Sequence, residues 1–181
     1  MPPRVTAAPV RPRRALAARV AAAVLALPLA LTGCTAEDAT TTATDVPGRV
    51  DLSPAAQQRC DDLLTGLGDE LGGLALDGDV DLDAGTATFG EDDPVTVVCG
   101  TAAPDELALT SSCQDVRGVG WFIPDEQLAD SSVDAVATAV GFRPRLSVVV
   151  PAARRGSDSL AVLSALAGPV KRELRLVHRC K

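Results

Sequence analysis

A cysteine at position 34 divides this chain into two stretches that obey different rules. Upstream of it, Arg4, Arg11, Arg13, Arg14 and Arg19 are the only charged side chains. The segment from Val20 to Leu31 is apolar throughout, interrupted only by Pro28. A basic segment followed by an apolar run is the layout of a secretory leader. The run covers about a dozen residues, whereas a membrane-spanning helix needs about 20. A leader removed during export therefore fits residues 1–33 better than an uncleaved anchor or a buried core helix. Everything downstream is then expected to fold outside the cytoplasm, under oxidising conditions.

The leader ends in Leu31-Thr32-Gly33-Cys34, which resembles the lipobox of bacterial lipoproteins. Small residues let the extended chain enter a peptidase, and a thiol beside the membrane can accept a diacylglyceryl group. Lipidation, with palmitate among the acyl groups, is accordingly expected at Cys34. More than one acyl chain is needed because a single chain binds a bilayer only marginally. The expected location is the outer face of the cytoplasmic membrane. Arg13-Arg14 invites a twin-arginine export route. Pro12 stands where that motif usually carries Ser or Thr, so general secretion is the simpler route.

Charge excludes some partners. The chain has 17 basic and 24 acidic side chains. Without the leader arginines, twelve basic residues face 24 acidic ones, a balance of about −12. Nucleic acid requires a basic footprint and is not an expected partner. Broad attraction to anionic lipid is disfavoured as well. The basic residues that remain concentrate near the C-terminus, at Arg154, Arg155, Lys171, Arg172, Arg175, Arg179 and Lys181. A basic helix end complementing the helix dipole accounts for them better than a ligand or headgroup patch does.

Residues 34–52 are rich in Thr and Ala without an apolar period, and read as a lipidated tether. The extracytoplasmic domain is expected to span 53–181. Ser53-Pro54 is a helix start, with Ser as cap and Pro at the first helical position. Cys60, Leu63, Leu64, Leu67 and Leu71 form an apolar stripe ending at Gly72-Gly73. Five short β-prone runs follow, at 86–89, 94–99, 118–123, 133–140 and 146–150, bounded by Gly and Pro. A last helix begins near Ser157, with Leu160, Leu163, Leu166 and Val170 as its stripe and a kink or restart at Gly168-Pro169. The expected fold class is α+β: a mostly antiparallel sheet of about five strands with an N-terminal and a C-terminal helix packed on it.

With Cys34 set aside, Cys60, Cys99, Cys113 and Cys180 remain. An even number in an exported domain implies two disulfides, for which three pairings exist. The favoured pairing is Cys99–Cys113, closing the loop between two strands, with Cys60–Cys180 tying the first helix to the C-terminus. No CxxC occurs, and His178 is the only histidine, so spacing supports no metal site.

From Phe89-Gly90 onward the chain resembles an actinobacterial lipoprotein family known as domain of unknown function 3515. The resemblance rests on Val98-Cys99-Gly100, Gly118-Val119-Gly120-Trp121-Phe122, Arg143-Pro144 and the terminal Cys180. It covers about residues 53–181. Phe89 departs from the tryptophan expected before Gly90, and Gly120 from the polar residue common there. The family carries no assigned activity, so the resemblance implies architecture and location, not chemistry.

No nucleophile elbow, Ser-x-x-Lys pair, HExxH or Walker loop occurs. Gly118-Val119-Gly120 lacks the third glycine of a dinucleotide fingerprint and opens a strand. The alternate carboxylates Asp77, Asp79, Asp81 and Asp83 could face one way and hold Ca²⁺. Leu82 and Thr88, however, occupy the positions where an EF-hand needs Gly and Glu, so a solvated acidic loop fits better. No cofactor and no metal are expected. Trp121 and Phe122, with Arg143 and Arg145, are the candidate binding surface, provided that an aromatic is exposed; core packing of Trp121 is the simpler expectation. The expected molecule is a monomeric, membrane-anchored binding or accessory module whose partner is an envelope protein or wall component. The alternatives are an envelope hydrolase or transferase acting on wall precursors, and a purely structural lipoprotein.

Overall fold

The computed structural model describes residues 47–180, so Cys34, the leader and residues 34–46 lie outside the described residues. Helix α1, Pro54–Thr65, starts as its sequence dictates. Ser53 is extended (φ −65°, ψ 155°) and its Oγ accepts from the Ala56 N–H, with Pro54 just inside the helix. Cys60, Leu63 and Leu64 are buried. The helix stops at Gly66, earlier than the apolar stripe suggests, although Leu67 and Leu71 are buried too. They belong to the turn after α1 and to a small hairpin, β1 (Glu70–Leu71) and β2 (Leu74–Ala75). Gly72 and Gly73 both have positive φ, 61° and 92°, as a two-residue hairpin turn requires. A Cβ on Gly72 would lie 2.7 Å from the Val162 nitrogen, so this glycine also lets the hairpin rest on a later helix.

The main sheet has six strands, all antiparallel: β3 (Thr86–Phe89), β4 (Val95–Cys99), β5 (Gln114–Val116), β6 (Val119–Phe122), β7 (Ala135–Ala139) and β9 (Leu146–Val150). Their spatial order is β3-β4-β9-β7-β6-β5. The expected α+β class, with its mostly antiparallel sheet and two packed helices, is what the chain adopts. The sixth strand is β5, which carries no apolar alternation and is held as the hairpin partner of β6. A short helix, α2 (Asp125–Ala129), links β6 to β7. Another small pair joins β8 (Phe142–Arg143) to β10 (Arg175–Leu176) near the C-terminus.

Helix α3, Ser157–Glu173, lies with α1 on one face of the sheet. Its buried residues are Val162, Leu163, Leu166, Ala167 and Val170. Leu160, placed in the stripe from sequence, is 58% exposed, because it sits roughly 90° round the helix from the centre of that arc. Nor does the helix restart at Pro169: it runs through it unbroken. Proline removes one bond to the carbonyl four residues back. Here that carbonyl belongs to Ala165, which is exposed and can be hydrated, while buried Leu166 and Val170 hold the flanking turns. Beneath the helices, alternate strand residues form the core, among them Phe89, Val97, Trp121, Ala137, Leu146 and Val148. No helix among the described residues is long and apolar enough to cross a membrane.

Two disulfides are present, with a connectivity that overturns the favoured pairing. Cys60 bridges Cys99, and Cys113 bridges Cys180. Sheet order explains why. Cys99 ends β4, while Cys113 precedes β5, four strand spacings away. At 4.7–4.9 Å per spacing this is roughly 19 Å, and a disulfide needs Cα atoms within about 7 Å. Adjacency in sequence therefore hides distance across the sheet. Cys99 instead points into the helix-covered face and meets Cys60 of α1, Cα to Cα 5.5 Å, with both residues fully buried. The C-terminal tail, paired through β10 with β8, carries Cys180 to Cys113 at the opposite edge, Cα to Cα 6.2 Å. Gly120 makes room for this second bridge, since a Cβ there would lie 2.7 Å from the Cys180 Cβ.

Residues 47–52, expected to belong to the tether, are part of the body. Arg49 pairs with Thr101 in a β-bridge, and the Val50 N–H donates to the Gly100 carbonyl at 2.9 Å. The Arg49 guanidinium donates to the Cys99 carbonyl at 2.9 Å, the Asp83 carbonyl at 2.7 Å and Gln57 Oε1 at 2.6 Å.

Candidate functional site

The face of the sheet away from the helices carries the opposite set of side chains. Strand register aligns Phe122, Thr138, Ser147, Val98 and Thr86 in one row across it. In the middle of this row the expected apolar residues give way to hydroxyls. Ser147 Oγ lies 2.9 Å from Thr101 Oγ1 and 3.0 Å from Thr138 Oγ1. All three are buried, at 1%, 2% and 0% exposure. Polar groups this deep are costly unless hydrogen-bonded, and here they bond one another.

Thr138 and Ser147, with Val136, floor a cleft of about 600 Å³. Its walls include Pro47, Ala102, Ala103, Pro104 and Pro124. Its mouth carries the exposed Asp105 and Glu106 together with Gln127 of α2. The Gln127 amide oxygen accepts from the Val136 N–H at 2.9 Å, and Arg155 donates to the Gln127 carbonyl at 2.6 Å, so this wall is anchored. The opposite wall, the loop 102–112, is held by bonds of its own. Leu107 N–H donates to the Pro104 carbonyl, Ser111 N–H to the Ala108 carbonyl, and Ala108 N–H to Ser111 Oγ. One bond reaches outside the loop, from the Ala102 N–H to the Gly48 carbonyl. A second cavity of about 630 Å³ adjoins the first, sharing Glu106 and Pro124, and brings Asp125, Glu126, Ser112 and Phe122 into the same region.

The residues singled out from sequence do not assemble into one surface. Trp121 is fully buried in the core on the helix side, and its indole N–H has no partner among the described residues. Phe122 points the other way and is 4% exposed, forming part of a cavity wall. Neither presents the exposed aromatic that the candidate surface required, because both faces of β6 are covered. Arg143 and Arg145 are half-buried around the cis Pro144. Arg143 donates to the Phe142 carbonyl at 2.7 Å, and Arg145 Nε is buried without a partner among the described residues. Burial, and then the neighbouring Arg143 charge, push the Arg145 guanidinium below its ordinary value.

The acidic run is a loop laid against β3. Asp81 and Thr86 exchange backbone bonds, and Asp81 Oδ1 accepts from the Ala84 N–H. Among the described residues no group of three or more His, Cys, Asp or Glu is placed to hold a metal ion. His178 is exposed on the tail. Asp130 lies below the ordinary carboxylate range because the Ser132 hydroxyl, and then the Ser132 N–H, donate to it. Sequence reasoning missed the hydroxyl cluster. A signal existed: Thr138 in AVATA and Ser147 in LSVVV are polar residues inside otherwise apolar strands.

One family model matches, over residues 16–177, and its description is protein of unknown function (DUF3515). No curated protein matches the chain. No solved structure matches it either.

Proposed function

The chain belongs to the DUF3515 family of proteins of unknown function, and on that footing we propose that it is a lipid-anchored extracytoplasmic binding or accessory domain of the cell envelope. The observation that carries this reading is the state of the cysteines. All four downstream of Cys34 are bridged, which suits an oxidising compartment. Cys34 is left as the odd one, directly after an apolar run and two small residues.

The anchoring geometry follows. From Cys34 to Pro47, where the described body begins, the chain reaches at most roughly 45 Å. Pro47 and Gly48 line the cleft, so the upstream chain joins the body beside it. A binding domain held this way stays within roughly 45 Å of the membrane surface, within reach of envelope components. In this reading the cleft binds a ligand, and the domain presents it or senses it.

Mass analysis of the chain recovered from membranes is the direct test. The expected product begins at Cys34 and carries acyl groups, and Cys34→Ala moves the protein out of the membrane fraction. A mature chain that keeps residues 1–33, or one with an unmodified Cys34 thiol in the cytosol, would overturn the reading.

A further inference from the structure

We propose that the Cys113–Cys180 bridge is a site of thiol–disulfide exchange with external dithiols, attacked at Cys113 with Cys180 as the leaving sulfur, whereas Cys60–Cys99 is a permanent bond. This goes beyond the binding reading and stands without it, because it rests on how differently the two bridges are set in the fold.

Access separates them. Cys60 and Cys99 are both 0% exposed, enclosed between α1 and the helix-covered face of the sheet. Exchange needs a thiolate to reach a sulfur of the bond, so this bridge is met only when the core opens, the most protected kind of opening a domain has. Cys113 and Cys180 are half-buried. They lie against Gly120 of β6, and both border a cavity of about 180 Å³. A reductant can meet this second bridge while the core stays closed.

Charge then selects the sulfur. Asp115 and Arg179 are the charged side chains that line the cavity. Asp115 comes two residues after Cys113, and the Gly118 N–H donates to its Oδ1 at 3.1 Å. A carboxylate so placed disfavours a thiolate on Cys113. Arg179 directly precedes Cys180 and makes no ion pair among the described residues. A guanidinium beside a cysteine favours its thiolate, and the sulfur with the more stable thiolate leaves faster.

In the exchange, a thiolate of the dithiol forms a bond to Cys113 Sγ as the Cys113–Cys180 bond breaks, and Cys180 departs as a thiolate. The dithiol's second thiol loses its proton and attacks the first sulfur, freeing Cys113. The bridge gains two electrons and becomes two thiols. The dithiol loses two electrons and becomes a disulfide, and its two protons pass through water to Cys113 and Cys180.

The C-terminal tail is what this bond holds down. Past the buried Leu174, its backbone is otherwise tied to the body by the two-residue β10–β8 pairing and by the Val177 and His178 N–H groups on the Gly141 carbonyl. Leu176 and Val177 are exposed. Opening the bridge therefore frees one wall of the cavity, formed by Leu176, Arg179 and Cys180, and leaves the core under α3 in place.

Dithiothreitol and reduced thioredoxin serve as a small and a protein dithiol, applied to the full chain in detergent under native conditions. Samples are quenched with iodoacetamide at intervals and mapped by peptide mass. Cys113 and Cys180 should alkylate together, and Cys60 and Cys99 slower by a factor of about a hundred or more. Far-ultraviolet circular dichroism should be unchanged while only the first pair is open. Reduced glutathione, a monothiol, should be found on Cys113. Arg179→Ala alters an exposed residue, so the oxidised variant should keep its unfolding temperature yet be reduced about threefold more slowly. Response to dithiothreitol alone assigns a small dithiol as the co-reactant, and response to both admits a protein. Both bridges opening at one rate, loss of the fold with the first pair, glutathione on Cys180, or an Arg179→Ala variant reduced as fast as the wild type would each overturn the inference.

Discussion

Replacing Gly120 with alanine should destabilise the protein while the Cys113–Cys180 bridge is intact, and stabilise it slightly once the bridge is gone. In the bridged protein the new Cβ would lie 2.7 Å from the Cys180 Cβ and 3.5 Å from the Cys113 Cβ. Either the bridge or strand β6 must shift, an overpacking penalty of about 1–3 kcal/mol. Against this stands the unfolded chain. Gly120 does not have positive φ, so alanine meets no backbone strain and favours the fold by about 0.4–1 kcal/mol through lost freedom in the unfolded state. The balance is a loss of about 1–2 kcal/mol, or a fall of roughly 4 °C in Tm for each kcal/mol at this size. The Cys113→Ser, Cys180→Ser pair alone should cost about 4 kcal/mol, from the 67-residue separation that the bridge closes. In that background the end of the tail can swing off β6, and only the gain of about 0.5 kcal/mol from alanine survives. Equilibrium urea unfolding of the wild type, G120A, the double serine variant and the triple variant closes the cycle. The same loss from G120A in both backgrounds would refute the reasoning, because the penalty would then come from something other than the bridge.

Arg49→Ala should cost about 2 kcal/mol in urea unfolding, since its charged donors reach the Cys99 and Asp83 carbonyls and Gln57. Arg49→Lys should recover little of it, a single ammonium being unable to span three acceptors. Ser147→Ala strips the shared partner from two buried threonines and should cost about 2–4 kcal/mol. Thr138→Val leaves the Ser147–Thr101 contact in place and should cost about 1 kcal/mol, so thermal unfolding that ranks them the other way would contradict the central place of Ser147. The Asp130 carboxyl should titrate below the ordinary aspartate range by NMR and move up in Ser132→Ala. Its contribution is present above the unfolded-state pKa and is lost as pH falls through the depressed folded value.

Much of this fold can be read locally. Ser53-Pro54 specifies the start of α1, and the β-branched runs at 86–89 and 146–150 coincide with strands β3 and β9. Such features depend on caps, periods and turn residues, all of which act within a few positions. Cysteine pairing does not. It depends on the order in which strands lie side by side, and β9, β7 and β6 come between β4 and β5 even though the loop joining Cys99 to Cys113 is short. Strand β5 was invisible for a related reason: Gln114-Asp115-Val116 has no intrinsic strand signal and is drawn into the sheet by its partner. The hydroxyl cluster was hidden because it combines Thr101, Thr138 and Ser147 from separate segments, and only register brings their hydroxyls together. Core packing of Trp121, the simpler expectation, is what the chain adopts; the candidate aromatic surface is absent because alternation separates Trp121 from Phe122 without telling that both faces of β6 are covered.

The Arg49 clasp determines how any pull on the upstream chain is shared out. Tension arriving at Pro47 meets a β-bridge to Thr101 and a guanidinium gripping three separate segments at once. One of those segments ends in Cys99, which is covalently joined to Cys60 on α1. A load on the upstream chain is thus passed straight into the welded centre of the body, and peeling would have to break several contacts together. The cleft, lined by Pro47 and Gly48 at that same point, sits where a tug on the upstream chain would be felt first.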